Sequence, residues 1–256
     1  MLDHLSTTDA EAQSRQRSAD RMRAVAAEAV VGVQPSATII ETDPQLWRRK
    51  SREVRAAPVG GALKRAFDLS AASVGIILLA PLLSLLWLLV RIERNGGDAI
   101  FKQERGGFDG KPFEIYKFRT MVCAESGKSV KQVQAGDERI TPLGRFLRRM
   151  SWDELPQLFN VLKGDMSLIG PRPHALAHDR EFAEIDPRYP QRFAARPGIT
   201  GLAQVSGCRG PTETADKVIA RTGHDVDYAK AWSFWGDIEI LWRTALLVVR
   251  KDPGAI

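Results

Sequence analysis

The chain has 256 residues, 44% of them hydrophobic and 27% charged, with a formal net charge of +6. That length holds one good-sized domain plus an extension and argues against three domains. Two cysteines, Cys123 and Cys208, are too few for a disulfide framework and lack metal-ligand spacing, so zinc and thiol chemistry start as poor candidates. The positive balance suits nucleic acid, anionic lipid or a phosphate-rich substrate, and it does not choose among them.

Residues 1–60 read as a partly ordered N-terminal extension. Met1 to Arg23 is polar and lacks the apolar core of an export signal. The stretch Asp9 to Val31 is rich in Ala, Arg, Glu and Gln and predicts a helix. Pro35, Pro44 and Pro58 then interrupt any regular element.

Residues 61–94 form the membrane segment. From Leu69 to Val90 no residue is charged. At 1.5 Å per residue this run reaches roughly 33 Å, enough to cross a hydrocarbon core. Pro81, near its middle, removes a backbone donor and predicts a kink, with Ser84 placed to satisfy a freed carbonyl. A sharp kink makes two half-helices that enter and leave through one leaflet. Lys64 and Arg65 before the run and Arg91 and Arg94 after it put cations at both ends, where a spanning helix favours one side. An ordinary kinked transmembrane helix fits these two features equally well.

Residues 95–231 read as a soluble α/β domain. Ala99 to Phe101 and Pro112 to Phe118 predict short strands around the turn Phe108-Asp-Gly-Lys. Gly144 to Met150 and Leu155 to Leu162 predict helices, and residues 123–140 a loop. Residues 232–256 carry an aromatic, apolar helix. Trp232, Trp235 and Trp242 suit a bilayer headgroup zone, while Asp237, Glu239 and Arg243 argue against spanning. A core helix of the soluble domain is the alternative.

Cations recur through the centre of the chain: Arg105, Lys117, Arg119, Arg145, Arg148, Arg149, Arg172 and Arg196. Arginine forks bind phosphate oxygens in pairs, although any single one, Arg148 and Arg149 above all, reads equally as a surface charge. Lys117 and Arg119 alternate with Tyr116 and Phe118, so a strand would aim both at one face. Asp153 and Glu154 are adjacent acids beside this cluster. Such a pair next to phosphate suits Mg²⁺, and an Asp can attack phosphorus itself. The competing reading is structural, because Ser151-Trp-Asp-Glu also fits a capping box. Two prolines stiffen the backbone around Arg172, and Arg196-Pro-Gly-Ile-Thr-Gly201 places glycines where amides could approach phosphate; generic turns explain both equally. The four histidines, at 4, 174, 178 and 224, are scattered and receive no catalytic role.

Four strings occur in order behind the membrane segment: FKQERGG, FEIYKFRTM, SWDELPQLFNVLKGDMSLIGPRP and RPGITGLAQVSG. Together they resemble the small monotopic phosphoglycosyl transferases, the bacterial sugar transferases, over about residues 62–250. The resemblance implies a mostly helical α/β fold with a re-entrant helix-break-helix at Pro81, a small catalytic domain and interfacial helices. Where many relatives carry Ser before this proline, the chain has Ala80. The implied seat is the cytoplasmic leaflet of a bacterial inner membrane. The implied activity transfers a sugar-1-phosphate from a UDP-sugar to polyprenyl (undecaprenyl) phosphate and releases UMP, a first step of exopolysaccharide synthesis. Asp153 matches the nucleophile, and Glu154 would help hold Mg²⁺. Lys117, Arg119 and Arg149 would contact phosphates, Arg172 the nucleotide, and Gln103 and Arg105 would support the site, with Arg196 a further binding candidate. The resemblance leaves the sugar unnamed and is compatible with a homodimer.

Two other classes compete. A membrane-anchored adaptor would not depend on Asp153, and a Mg²⁺-dependent lipid phosphatase would need no UDP-sugar. Nucleic-acid binding is the weakest, because the cations surround acids and do not line an aromatic groove.

Overall fold

The computed structural model describes residues 44–55, 57–93, 97–122, 137–212 and 214–249. The helix expected over Asp9 to Val31 lies outside the described residues, as does most of the expected loop at 123–140. The described part is mostly helical, with two small two-stranded sheets.

Helix α1, Pro44–Val54, opens on a proline that sequence reading took as a breaker. A first-turn position needs no N–H and suits the fixed φ of proline. Trp47 of α1 is buried with Phe182, Tyr189, Phe193 and Val218 and stacks on Phe193 at 5.0 Å between centroids.

Helix α2, Gly61–Ile92, runs 32 residues with Pro81 inside it. The expected break is absent from the secondary structure: the helix is continuous where two half-helices were anticipated. A proline forfeits one hydrogen bond and bends a helix, and neighbouring turns carry it through. Lys64, Asp68, Ala72, Leu86 and Val90 are buried, and Ile76, Leu79, Leu82 and Leu83 pack beside them. This i, i+4, i+7 spacing makes one inner stripe. The outer stripe stays bare, with Ile77 71% and Leu78 73% exposed. At the N-terminal end, Lys64 Nζ donates to Asp237 at 2.6 Å, and Asp68 accepts from Ser167 Oγ and Leu168 N, each at 3.0 Å. At the C-terminal end, Leu86 and Val90 join Ala99, Phe118 and Leu147 in a core cluster.

Strands β1, Ile100–Gly106, and β2, Pro112–Phe118, form an antiparallel hairpin pairing Gln103 with Ile115. Its turn holds Asp109 at φ 58°, a left-handed conformation that Asp tolerates. Ser51 Oγ donates to Asp109 at 3.0 Å, so α1 clasps the hairpin tip.

Helix α3, Pro142–Arg149, starts at Thr141, whose Oγ1 accepts from Gly144 N at 2.9 Å. Thr141→Ala should lower stability by about 1 kcal/mol, the usual worth of such a cap. The melting temperature should then fall by about 2–4 °C. Helix α4, Gln157–Lys163, ends at Gly164, which sits at φ 92°. Strand β3, Ser167–Ile169, pairs in parallel with β4, Gly198–Thr200. Around them lie α5, Leu176–Ile185, the short α6, Leu202–Val205, and α7, Ala215–Ala231.

Helix α8, Phe234–Val249, closes the fold. Its Ile240 is buried with Ile169, Ala194, Val205 and Tyr228, while Trp235 and Trp242 are 77% and 65% exposed.

Candidate active site

The acids Asp153 and Glu154 sit in a single 3-10 turn, Trp152–Glu154, just before α4. Ser151 enters that turn at φ 56° and caps nothing with its side chain. The capping box expected at Ser151 and Glu154 does not form. The left-handed backbone at Ser151 turns its hydroxyl to accept from Arg209 Nη2 at 2.9 Å. Glu154 is taken by cations instead.

Lys117 Nζ, projecting from β2, donates to Glu154 Oε1 at 2.7 Å. Arg172 grips the same carboxylate with both arms, Nη2 to Oε1 at 2.6 Å and Nη1 to Oε2 at 3.2 Å. Such a two-pronged pair fixes geometry as well as charge. Burial pushes the Glu154 carboxyl up, and the charges and hydrogen bonds of Arg172 and Lys117 outweigh it, holding the group well below the usual range. Its neighbour goes the other way. Burial raises Asp153, which is 7% exposed; Lys117 opposes that and the charge of Glu154 adds to it. Adjacent carboxylates thus acquire separate characters, one a fixed counter-ion and one poised beside it.

Arg148 of α3 donates through Nε to Thr120 Oγ1 at 2.8 Å and feels both acids. Arg105 of β1 donates to Gln103 Oε1 and lies within the fields of Arg172, Asp179 and Glu154. Burial and the charge of Arg172 lower its guanidinium to about 10. Lys117, Arg172 and Arg148 therefore face the two carboxylates, with Arg105 shared between Glu154 and Asp179, a net positive charge suited to a diphosphate.

Three predicted residues go elsewhere. Arg119 lies one residue past the end of β2, and its Nη2 donates to the Val90 carbonyl of α2 at 2.9 Å. Arg149 is exposed on α3, and Arg148, which sequence reading treated as an equal surface candidate, is the one beside the acids. The phase of α3 decides this: Gly144 and Leu147 are its buried positions, and Arg148 lies one turn on from Gly144, on the same face. Arg196 Nε donates to the Gly164 carbonyl at 3.0 Å, while Arg65 holds the Val161 and Leu162 carbonyls at 2.6 and 2.9 Å. Together they cap the C-terminus of α4.

Glycines of the two proline-rich segments serve backbone crossing. A Cβ on Gly170 would overlap the Arg196 carbonyl, and one on Gly198 or Gly201 would strike Gly170. Gly198 and Gly201 lie too tightly against protein for the phosphate approach expected of them.

Sequence reading missed the buried polar network behind Arg172. Arg192, Tyr189, Asp179, Asp225 and His174 form it, with Arg192 Nη2 donating to the Arg172 carbonyl at 2.5 Å. Nothing in their sequence spacing links them.

Among the described residues no three metal-donor side chains gather. Asp153 and Glu154 offer only two carboxylates. Glu154 Oε2 carries just the 3.2 Å bond from Arg172. This set fits Mg²⁺, which uses one or two carboxylates and takes substrate phosphate oxygens for the rest.

Residues 59–251 match the family model described as bacterial sugar transferase. A UDP-glucose:undecaprenyl-phosphate glucose-1-phosphate transferase of Caulobacter vibrioides is 51% identical over 74% of this chain and 70% of its own. An exopolysaccharide production protein of Rhizobium leguminosarum is 42% identical over 75% of this chain and 98% of its own. An undecaprenyl-phosphate galactose phosphotransferase of Salmonella typhimurium is 41% identical over 74% of this chain but only 41% of its own.

Proposed function

Because the chain belongs to the bacterial sugar transferase family, we propose that it moves a sugar-1-phosphate from a UDP-sugar to polyprenyl phosphate, releasing UMP. The observation that carries this reading is the division of labour at the acid pair. Glu154 is locked to Lys117 and Arg172, while Asp153 beside it is acted on by burial and charge.

In the proposed cycle an Asp153 oxygen attacks the β-phosphorus of the donor. The bond from that phosphorus to the bridging oxygen breaks, and UMP leaves with the oxygen and the electron pair. The product on the protein is an acyl phosphate bearing the sugar. An oxygen of polyprenyl phosphate then attacks the same phosphorus, which frees the Asp153 carboxylate and yields a lipid diphosphosugar. Lys117, Arg172, Arg148 and Arg105 offset the gathering negative charge, and Glu154 keeps Lys117 and Arg172 in place. Asp153 and Glu154 would hold Mg²⁺ with the donor's phosphates, where it would add further charge neutralisation.

The acceptor's tail requires a bilayer beside the site. A monotopic, re-entrant seat in the cytoplasmic leaflet of the inner membrane is the proposed arrangement. It is supported by α2, both of whose ends pack on the same domain. An impermeant thiol reagent should then reach cysteines placed at Leu63 and Ile92 from the same face of sealed vesicles. Labelling from opposite faces would rule this seat out.

The test of activity is UMP release from UDP-glucose, UDP-galactose and UDP-N-acetylhexosamines, with Mg²⁺, with and without polyprenyl phosphate. Release that needs the lipid and favours one donor supports the transferase and names its sugar. Phosphate freed from the lipid without a donor would indicate the phosphatase. No release from folded protein would favour the adaptor. Arg172→Ala should raise KM for the donor at least about tenfold, since a hydrogen bond to a charged group is worth roughly 1.5–3 kcal/mol and each 1.4 kcal/mol is tenfold in affinity.

A further inference from the structure

We infer that Arg192 is a positioning residue for this reaction: it sets the place of Arg172 and, through it, of Glu154. The inference rests on the proposed role of Arg172 and Glu154 at the donor.

Arg192 is 2% exposed, an unusual position for a guanidinium. Its N–H groups are spread over several partners. Nε donates to Asp225 Oδ2 at 2.9 Å, and Nη2 lies 2.7 Å from the same carboxylate oxygen. Nη2 also donates to the Arg172 carbonyl at 2.5 Å, and Nη1 to the Tyr189 hydroxyl at 3.2 Å. The flat face lies 5.0 Å over the Tyr189 ring and 5.8 Å over Phe193. A buried pair of this kind adds little net stability compared with apolar packing, so its value lies in fixing geometry.

What it fixes is the one residue between two anchored stretches. Pro171 and Pro173 flank Arg172 and donate no hydrogen bond. Gly170 before them is pinned to β4, its N donating to the Thr200 carbonyl at 2.8 Å. On the far side His174 is held by Tyr189 Oη at 2.7 Å from Nδ1 and by Arg221 Nη1 at 3.2 Å from Nε2. Tyr189 donates onward to Asp179 at 2.6 Å. The Arg172 carbonyl between these anchors is taken by Arg192. Moving it moves the Cα from which the two-pronged grip on Glu154 is made. A lysine could keep the charge opposite Asp225, but it could not also reach the Arg172 carbonyl and Tyr189 in the same plane.

The experiment is a double-mutant cycle on the full-length, membrane-extracted protein, reading kcat and KM for UMP release. Arg192→Lys should lower kcat/KM for the UDP-sugar about 30-fold. The same substitution in an Arg172→Ala background should cost less than about threefold more, because coupled residues do not add. Equal losses in both backgrounds would overturn the proposal, since general destabilisation would act regardless of Arg172. If Arg192→Lys does not fold, Tyr189→Phe serves, with a smaller loss and the same non-additivity. Hydrogen exchange supplies a readout that needs no turnover: the amides of Gly170 and Gly198, which donate to the Thr200 and Pro171 carbonyls at 2.8 and 2.9 Å beside Arg172, should exchange at least tenfold faster in either variant. Unchanged exchange would also overturn the assignment. A wild-type protein that releases no UMP but shows the exchange effect would leave Arg192's positioning intact and bring down the transferase reading instead.

Discussion

Asp153→Asn should reduce UMP release by at least about a thousandfold while the protein remains folded and membrane-bound. The substitution keeps shape and removes the attacking charge. Asp153 is buried and its carboxyl is raised by that burial, so a neutral amide is no harder to accommodate than the ion. Lys117 and Arg172 keep Glu154 as their partner, so no buried cation is stranded. A donor labelled at the β-phosphate should leave its label on wild-type protein when acceptor is withheld, and none on the variant. Near-normal turnover by a folded Asn variant would end the nucleophile assignment. Glu154→Gln should behave differently. It takes the counter-charge from Lys117 and Arg172 together and should lower stability as well as rate.

The second large effect is structural. Lys64→Ala should cost about 3–5 kcal/mol, because it leaves Asp237 buried without its cation. Lys64 and Asp237 are 5% and 1% exposed and 2.6 Å apart. Tyr228 Oη and Trp232 Nε1 also donate to Asp237, at 2.8 and 2.9 Å, but neither carries charge. This site ties the start of α2 to α8. The variant should therefore melt at least about 6 °C lower, given roughly 2–4 °C per kcal/mol at this size. Adding Asp237→Asn should restore part of the loss, since the stranded charge goes with it. Equal melting of single variant and wild type would show that the pair is hydrated.

The periodic features were legible in sequence. The uncharged run gave α2, alternation around Asp109-Gly110 gave the hairpin, and apolar spacing gave α3 and α4. The cluster of the acid pair with Lys117 and Arg172 was legible, and the ordered motifs pointed to the family. What failed depended on direction in space. Ser151 looked like a helix cap until its positive φ aimed it elsewhere. Arg149 and Arg148 are neighbours in sequence but about 100° apart around the helix. Arg119 and Arg196 sit in motifs, and their bonds to backbone carbonyls of α2 and α4 could not be read from the motifs. The support of Arg172 was invisible because Arg192 meets a carbonyl 20 positions before it and a carboxylate 33 positions after it. Pairing at such separations is settled by tertiary packing, and no local pattern encodes it.

Helix α1 changes where the working unit of this chain begins. The family match opens at residue 59, yet Trp47 stacks on Phe193, which also lies under the Arg192 guanidinium. A fragment trimmed to the family boundary would leave an indole-sized vacancy against that ring and unclasp Asp109 from Ser51. Chimaeras and minimal expression fragments should therefore be cut before Pro44, because a graft made at the motif boundary transplants the catalytic residues without the plug that closes the wall behind them.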